Sequence, residues 1–145
     1  MNSSNSPKLK ILLIISIFIF SSAQIVVGQS LQKGNLLGMH TVTITLSPDA
    51  SLNQYKNFLT SKFFPALQKN VGMSAYLLEG VRGEDEGKIG FLMFFKSDAE
   101  RNKYFTEDGS PNENWNAAMA KMQDVVNEGN ALGSWTSTYT DWVIK

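Results

Sequence analysis

Between Lys88 and Lys96 the chain runs I-G-F-L-M-F-F without a charge, directly after the turn-like Gly83-Glu84-Asp85-Glu86-Gly87. A run this short that contains Ile and three phenylalanines reads as a strand rather than a helix. At the period of two that a strand imposes, Ile89, Phe91, Met93 and Phe95 share one face, and Gly90, Leu92 and Phe94 share the other. Both faces are apolar, whereas an antiparallel strand with one wet face would alternate. Whatever this chain folds into has to cover both sides of that strand.

The remaining elements follow from periodicity and punctuation. Met39–Leu46 alternates strictly, with His40, Val42, Ile44 and Leu46 on one face and Met39, Thr41, Thr43 and Thr45 on the other, which predicts a first strand. After Ser47-Pro48-Asp49, residues Leu52, Tyr55, Leu59, Phe63 and Leu67 recur at helical spacing and predict an amphipathic helix over Ala50–Lys69. Pro65 lies inside it and predicts a kink or restart near Phe64, because proline lacks the backbone donor and clashes with the preceding turn. Asn70 or Gly72 can take the left-handed cap. Met73–Val81 reads as a second strand with a possible bulge at Gly80, and Arg82–Gly87 returns it as a hairpin into the Lys88–Lys96 strand. Ser97-x-x-Glu100 has the spacing of a capping box and starts a short helix to about Phe105. Ser110-Pro111-Asn112-Glu113 repeats that spacing, with proline at the first helical position, ahead of a stripe of Trp115, Ala118, Met119, Met122 and Val126 that ends near Gly129. Trp135–Ile144 reads as the last strand, with Thr136, Thr138, Thr140 and Trp142 opposite Trp135, Ser137, Tyr139, Asp141 and Val143.

Strand, helix, strand, strand, helix pair, strand is the β-α-β-β-α-β order of the ferredoxin-like α+β fold, an antiparallel four-stranded sheet with its helices on one face. Right-handed crossovers put both helical segments on the same side. The first and third strands are then central, and the fourth pairs with the first. The other face of the sheet has no element left to cover it, so a second copy of the chain is the economical cover, giving a homodimer and a dimeric α/β barrel.

Ahead of the domain stands a targeting pattern. Lys8 and Lys10 precede the apolar Ile11–Phe20, and Ser21-Ser22-Ala23 supplies small residues at a cleavage site. Residues 1–23 thus read as a signal peptide, with cleavage after Gly28 as an alternative, 24–36 as a linker and 37–145 as the domain. Roughly ten apolar residues fall short of the ~20 that span a bilayer. The expectation is a secreted or periplasmic protein without a stable membrane anchor after cleavage. The 145-residue chain balances 13 Lys+Arg against 13 Asp+Glu with no basic run, which argues against nucleic acid as a partner. It has no cysteine, hence no disulfide framework and no thiolate metal site.

The stretches F-F-P-A-L-Q-K-N-V-G-M-S-A-Y and F-L-M-F-F-K-S-D-A-E, with Pro65, Gly72, Tyr76, Ser97 and Glu100, resemble the antibiotic-biosynthesis-monooxygenase-like group of the dimeric α/β barrel superfamily. The resemblance runs from Met39 to Lys145 and implies the same ferredoxin-like fold and a homodimer. It also implies, as one reading, a cofactor-independent monooxygenase or isomerase. That group often carries a tryptophan at the end of the third strand and a histidine in the following helix. Here those places read Phe94-Phe95 and Asn102-Lys103-Tyr104, so the group's tryptophan and histidine, associated with oxygenase and haem-degrading chemistry, have no counterpart there.

His40 is the only histidine. If the last strand pairs antiparallel with the first and the threonines of both share a face, His40, Tyr139 and Asp141 share the opposite one. An Asp beside a His fixes its tautomer and raises its basicity, as a general base requires. These three are the candidate catalytic residues; the plain alternative is a histidine hydrogen-bonded at a sheet end. Tyr55, Phe58, Tyr76, Phe91, Trp115 and Trp135 are candidates to line a pocket for a small apolar or aromatic ligand, or else simply pack the core. Glu79, Glu84, Asp85 and Glu86 carry oxygen ligands but no EF-hand spacing, so a solvated hairpin tip is the better reading and no metal site is assigned. No nucleophile elbow, phosphate-binding loop or H-E-x-x-H is present, and no cofactor is expected. Three functions fit: an exported dimeric domain that binds a small apolar or aromatic molecule, a cofactor-independent oxygenase or isomerase, or a structural subunit of a larger exported assembly.

Overall fold

The computed structural model describes residues 30–145; the signal-peptide reading falls on residues outside that range. The compact unit spans Leu31–Lys145. Its elements are β1 (Leu36–Leu46), α1 (Leu52–Phe58), a π turn (Leu59–Phe63), α2 (Phe64–Val71), β2 (Ser74–Glu79) and β3 (Ile89–Phe95). There follow α3 (Asp98–Arg101), α4 (Glu113–Lys121), α5 (Gln123–Leu132) and β4 (Gly133–Val143). The sheet is antiparallel with strand order β2-β3-β1-β4, the ferredoxin-like arrangement.

Register assigns every strand residue to a face. Thr41 lies opposite Thr138 and Thr43 opposite Thr136, so the threonines share one face, while His40 lies opposite Tyr139 and Gly38 opposite Asp141 on the other. On that second face Phe91, Met93 and Phe95 pack with Phe64, Leu67, Ala118 and Met122 of the helices in one core. Phe64 and Trp135 both stand edge-on to Phe91, at 5.4 and 5.2 Å between centroids. The helix-free face carries Leu37, Met39, Leu78, Leu92 and Phe94 among threonines, with Met39 42%, Tyr76 49% and Trp142 60% exposed.

The proline break takes a specific form. Immediately before Pro65 the helix widens into the π turn, which makes room for the ring and the missing donor. Thr60 and Ser61 turn their hydroxyls back onto the carbonyls of Lys56 and Asn57 at 3.0 and 2.6 Å. Gly72 closes α2 in the left-handed conformation, at φ 76°.

Four expectations are corrected. β1 starts at Leu36, not Met39, because Gly34 and Asn35 are tied to Ile144 by backbone bonds. Gly80 marks no bulge; it is glycine because the carbonyl of Asp85 in the hairpin loop lies where a Cβ would be. The cap of α4 is Asn112, whose side chain accepts from the amides of Asn114 and Trp115. Pro111, expected inside that helix, instead bridges Phe105 in the preceding loop. Finally, the expected single stripe to Gly129 breaks at Met122 into α4 and α5, and α5 runs on to Leu132. Gly129 sits inside α5 because the Phe58 ring packs where its side chain would stand.

Candidate functional site

Between the sheet and the helices lies a cavity of about 380 Å³. Met93 and Phe95 of β3 and Gly38 and His40 of β1 form its floor, continued by Trp135, Ser137, Tyr139 and Asp141 of β4. Phe63 and Leu67 close it from the first helical segment, and Trp115 from α4. Arg101, Phe105, Gly109 and Pro111 close it from the loop region between α3 and α4. The walls are aromatic: Phe105 meets Trp115 at 4.8 Å and Phe95 at 6.3 Å between centroids.

That loop is held in place by its own chemistry. The Asp108 carboxylate accepts from the Thr106 hydroxyl and from the amide and hydroxyl of Ser110. These bonds, the Thr106 hydroxyl's above all, hold its carboxyl below the usual carboxylate range. Arg101 Nη1 donates to the Thr106 carbonyl at 2.6 Å and to Asn102 Oδ1 at 3.3 Å. At Gly109, φ is 84° and the Tyr139 hydroxyl occupies the place of a side chain, so the loop can lie on the tyrosine only with glycine there.

One corner of the cavity is polar. His40 Nδ1 pairs with Ser137 Oγ at 3.0 Å, and the imidazole stacks on Tyr139 at 5.1 Å with 19° between planes. Asp141 does not pair with His40. Its Oδ2 lies 3.2 Å from Nε of Arg101, a residue 7% exposed, and the guanidinium also covers the Phe105 ring at 5.5 Å. Burial lowers the His40 pKa below its ordinary 6.5, and the opposing pull of the Asp141 charge is the smaller effect. The neutral form of the ring therefore predominates at pH 7.

The three residues proposed as catalytic thus line one cavity, and Trp115 and Trp135 line it with them. The other proposed ligand-lining residues do not. Phe91 is fully buried in the core; Tyr55 and Phe58 border a separate, smaller pocket with Gly129; Tyr76 stands on the helix-free face. Burial raises the pKa of Tyr55. The acidic residues set aside at the hairpin are partly engaged locally, Asp85 with Lys88 at 2.8 Å and Glu79 with Lys56 at 3.2 Å. Sequence reasoning missed Arg101, Phe105 and the Gly109–Pro111 loop. The available signal was slight: Arg101 is one of only two arginines among 13 basic residues.

No protein family matches the sequence, and no curated protein is recognisably similar to it. Among solved structures, the chain is similar to a dimeric protein of unknown function and ferredoxin-like fold from Bacteroides fragilis. That likeness has 14% identity and a TM-score of 0.39, and covers 77% of this chain and 98% of the other. It is also similar to a VAO-type flavoprotein from Myceliophthora thermophila, at 16% identity and a TM-score of 0.33 over 75% of this chain and 19% of that one. The fold assignment here rests on strand order and register.

Proposed function

We propose that the protein is an exported, homodimeric α/β-barrel domain that binds a small aromatic molecule between its sheet and its helices. The observation that carries the binding reading is the cavity of about 380 Å³, a size at which small-molecule sites begin, walled by Phe, Trp, Met and Tyr with a few convergent polar groups. Binding is preferred over general-base catalysis because the carboxylate that would orient His40 is engaged by Arg101 instead. The dimer reading is supported by the helix-free face. Across four strands it carries no charged side chain while exposing Met39, Tyr76 and Trp142, so a second copy of the same uncharged surface is its natural complement. Export is supported by the Lys8/Lys10, Ile11–Phe20 and Ser21–Ala23 pattern.

The test of binding is a panel of fused-ring aromatics and size-matched aliphatics, followed by thermal denaturation and by the fluorescence of Trp115 and Trp135. A ligand at a hundred times its Kd stabilises by about 2.7 kcal/mol, which for a domain near this size raises Tm by roughly 10 °C. If no aromatic compound shifts the melting or the tryptophan emission, the cavity is not a binding site.

A further inference from the structure

The polar corner has a feature that an aromatic pocket alone does not need. A Cβ at Gly38 would stand 3.0 Å from Asp141 Oδ1 and 3.3 Å from His40 Nε2. Gly38 is thus the bare floor of a narrow notch bounded by a carboxylate oxygen and an imidazole nitrogen, both closer to the place of a Cβ than ordinary contact. Among the described residues, neither atom has a hydrogen-bond partner: His40 is bonded through Nδ1, and Asp141 meets Arg101 through Oδ2. The two atoms differ in what they accept. Asp141 Oδ1 can only accept a hydrogen bond, whereas Nε2 of a neutral imidazole donates or accepts according to the tautomer. The Ser137 hydroxyl can play either role against Nδ1, so it accommodates both tautomers. The charges of Arg101 and Asp141 cancel at 3.2 Å, which leaves the corner neutral.

We propose that this notch sets the specificity of the aromatic site: it takes an uncharged planar ligand whose edge carries a hydrogen-bond donor, seated against Asp141 Oδ1 with His40 Nε2 beside it. The inference rests on the cavity being an aromatic binding site and names what that site selects. An aromatic carboxylate is disfavoured, since it would set a second acceptor against Oδ1 with no donor between them. A plain hydrocarbon is disfavoured because it would bury the carboxylate oxygen without a partner.

Indole, 1-methylindole and benzothiophene test this, being similar in shape while only indole has the N–H. Affinities are measured by calorimetry on the mature protein. Indole is expected to bind at least tenfold more tightly than either analogue. Gly38→Ala puts a methyl group into the notch and pushes the Asp141 and His40 side chains away from it, on a backbone that does not require glycine, since φ there is not positive. It should abolish the preference, so that the variant binds indole no more tightly than it binds benzothiophene. Asp141→Asn keeps the shape but removes the charge of the acceptor, and should cut the indole preference at least threefold. Equal binding of all three compounds by the parent protein overturns the notch and leaves the aromatic pocket standing. No binding of any of them overturns both. A preference for indole that survives Gly38→Ala in folded protein, or Asp141→Asn where the alanine variant does not fold, also overturns the notch.

Discussion

Replacing Arg101 by methionine keeps the buried stem and removes the guanidinium, so it isolates what that group contributes. Its Nη1 hydrogen bond to the Thr106 carbonyl at 2.6 Å comes from a charged donor, of the kind worth about 1.5–3 kcal/mol. Its ion pair neutralises an Asp141 side chain that is 29% exposed. Orphaning a fully buried partner costs about 3–5 kcal/mol, and partial solvent access brings this case below that range. The stacking on Phe105 adds at most about 1 kcal/mol. Because these losses share one group they do not add in full, and the expected destabilisation is about 3–4 kcal/mol. At roughly 4 °C per kcal/mol for a domain near this size, Tm should fall by about 12–16 °C. The assay is urea denaturation at pH 7 followed by tryptophan fluorescence. The control is the double variant Arg101→Met/Asp141→Leu, which removes both charges and should be more stable than Arg101→Met alone. A loss under about 1 kcal/mol for Arg101→Met, or a double variant no more stable than it, would mean that solvent already carries the Asp141 charge.

Gly129→Ala should destabilise despite alanine's better helix propensity, worth up to about 1 kcal/mol: its Cβ would come within 2.8 Å of Phe58 Cε1 and Cζ, and such overpacking costs about 1–3 kcal/mol. A more stable variant by thermal denaturation would show that the Phe58 ring yields freely. The His40 ring, followed by NMR, should titrate below 6.5. With its folded pKa lowered, the unfolded chain takes up the proton first, so this histidine costs no stability above pH 6.5 and destabilises increasingly as pH falls through 6.5 to the folded value. A titration midpoint above 6.5 refutes this, as does an unaltered pH dependence in His40→Ala. Leu92→Asp, a charge in the middle of the helix-free face, should turn dimers into monomers or aggregates by light scattering, and a monomeric parent protein at micromolar concentration would end the dimer reading. Intact-mass measurement of protein recovered from the cell envelope or medium should find the first 23 or 28 residues gone; a chain still beginning at Met1 contradicts export.

How legible the fold was depended on whether a signal is local. The charge-free Ile89–Phe95 run and the two threonine-bearing strands placed β1, β3 and β4 and their faces, because a period of two with one apolar or one threonine row leaves little choice of register. The same argument brought His40, Tyr139 and Asp141 to one face. It could not reach Arg101. A short helix reading D-A-E-R looks solvated on both sides, and its arginine is buried only because the chain after it folds back, with Phe105 bridging Pro111 and the Thr106 carbonyl turned inward. Pro111 misled for a related reason. Ser110-x-x-Glu113 and the adjacent Asn112 offer two competing caps, and the bridge of Pro111 back to Phe105, which the capping pattern does not encode, holds Pro111 outside the helix and leaves Asn112 as the cap.

Arg101 is also what separates the two chemistries that the sequence left open. A histidine with a free carboxylate at its far side is held charged or made basic, because the negative field favours the imidazolium. Here the carboxylate lies on the right side of the ring, across Gly38, yet it lies within 3.2 Å of a buried cation. Burial of the ring outweighs the pull of that carboxylate, and this favours the neutral imidazole. A neutral, adaptable nitrogen beside a fixed acceptor suits holding a polar edge of a ligand; a paired His–Asp couple would suit taking a proton from it. The same residue that holds the loop over the cavity through Thr106 also engages the carboxylate of the corner beneath it.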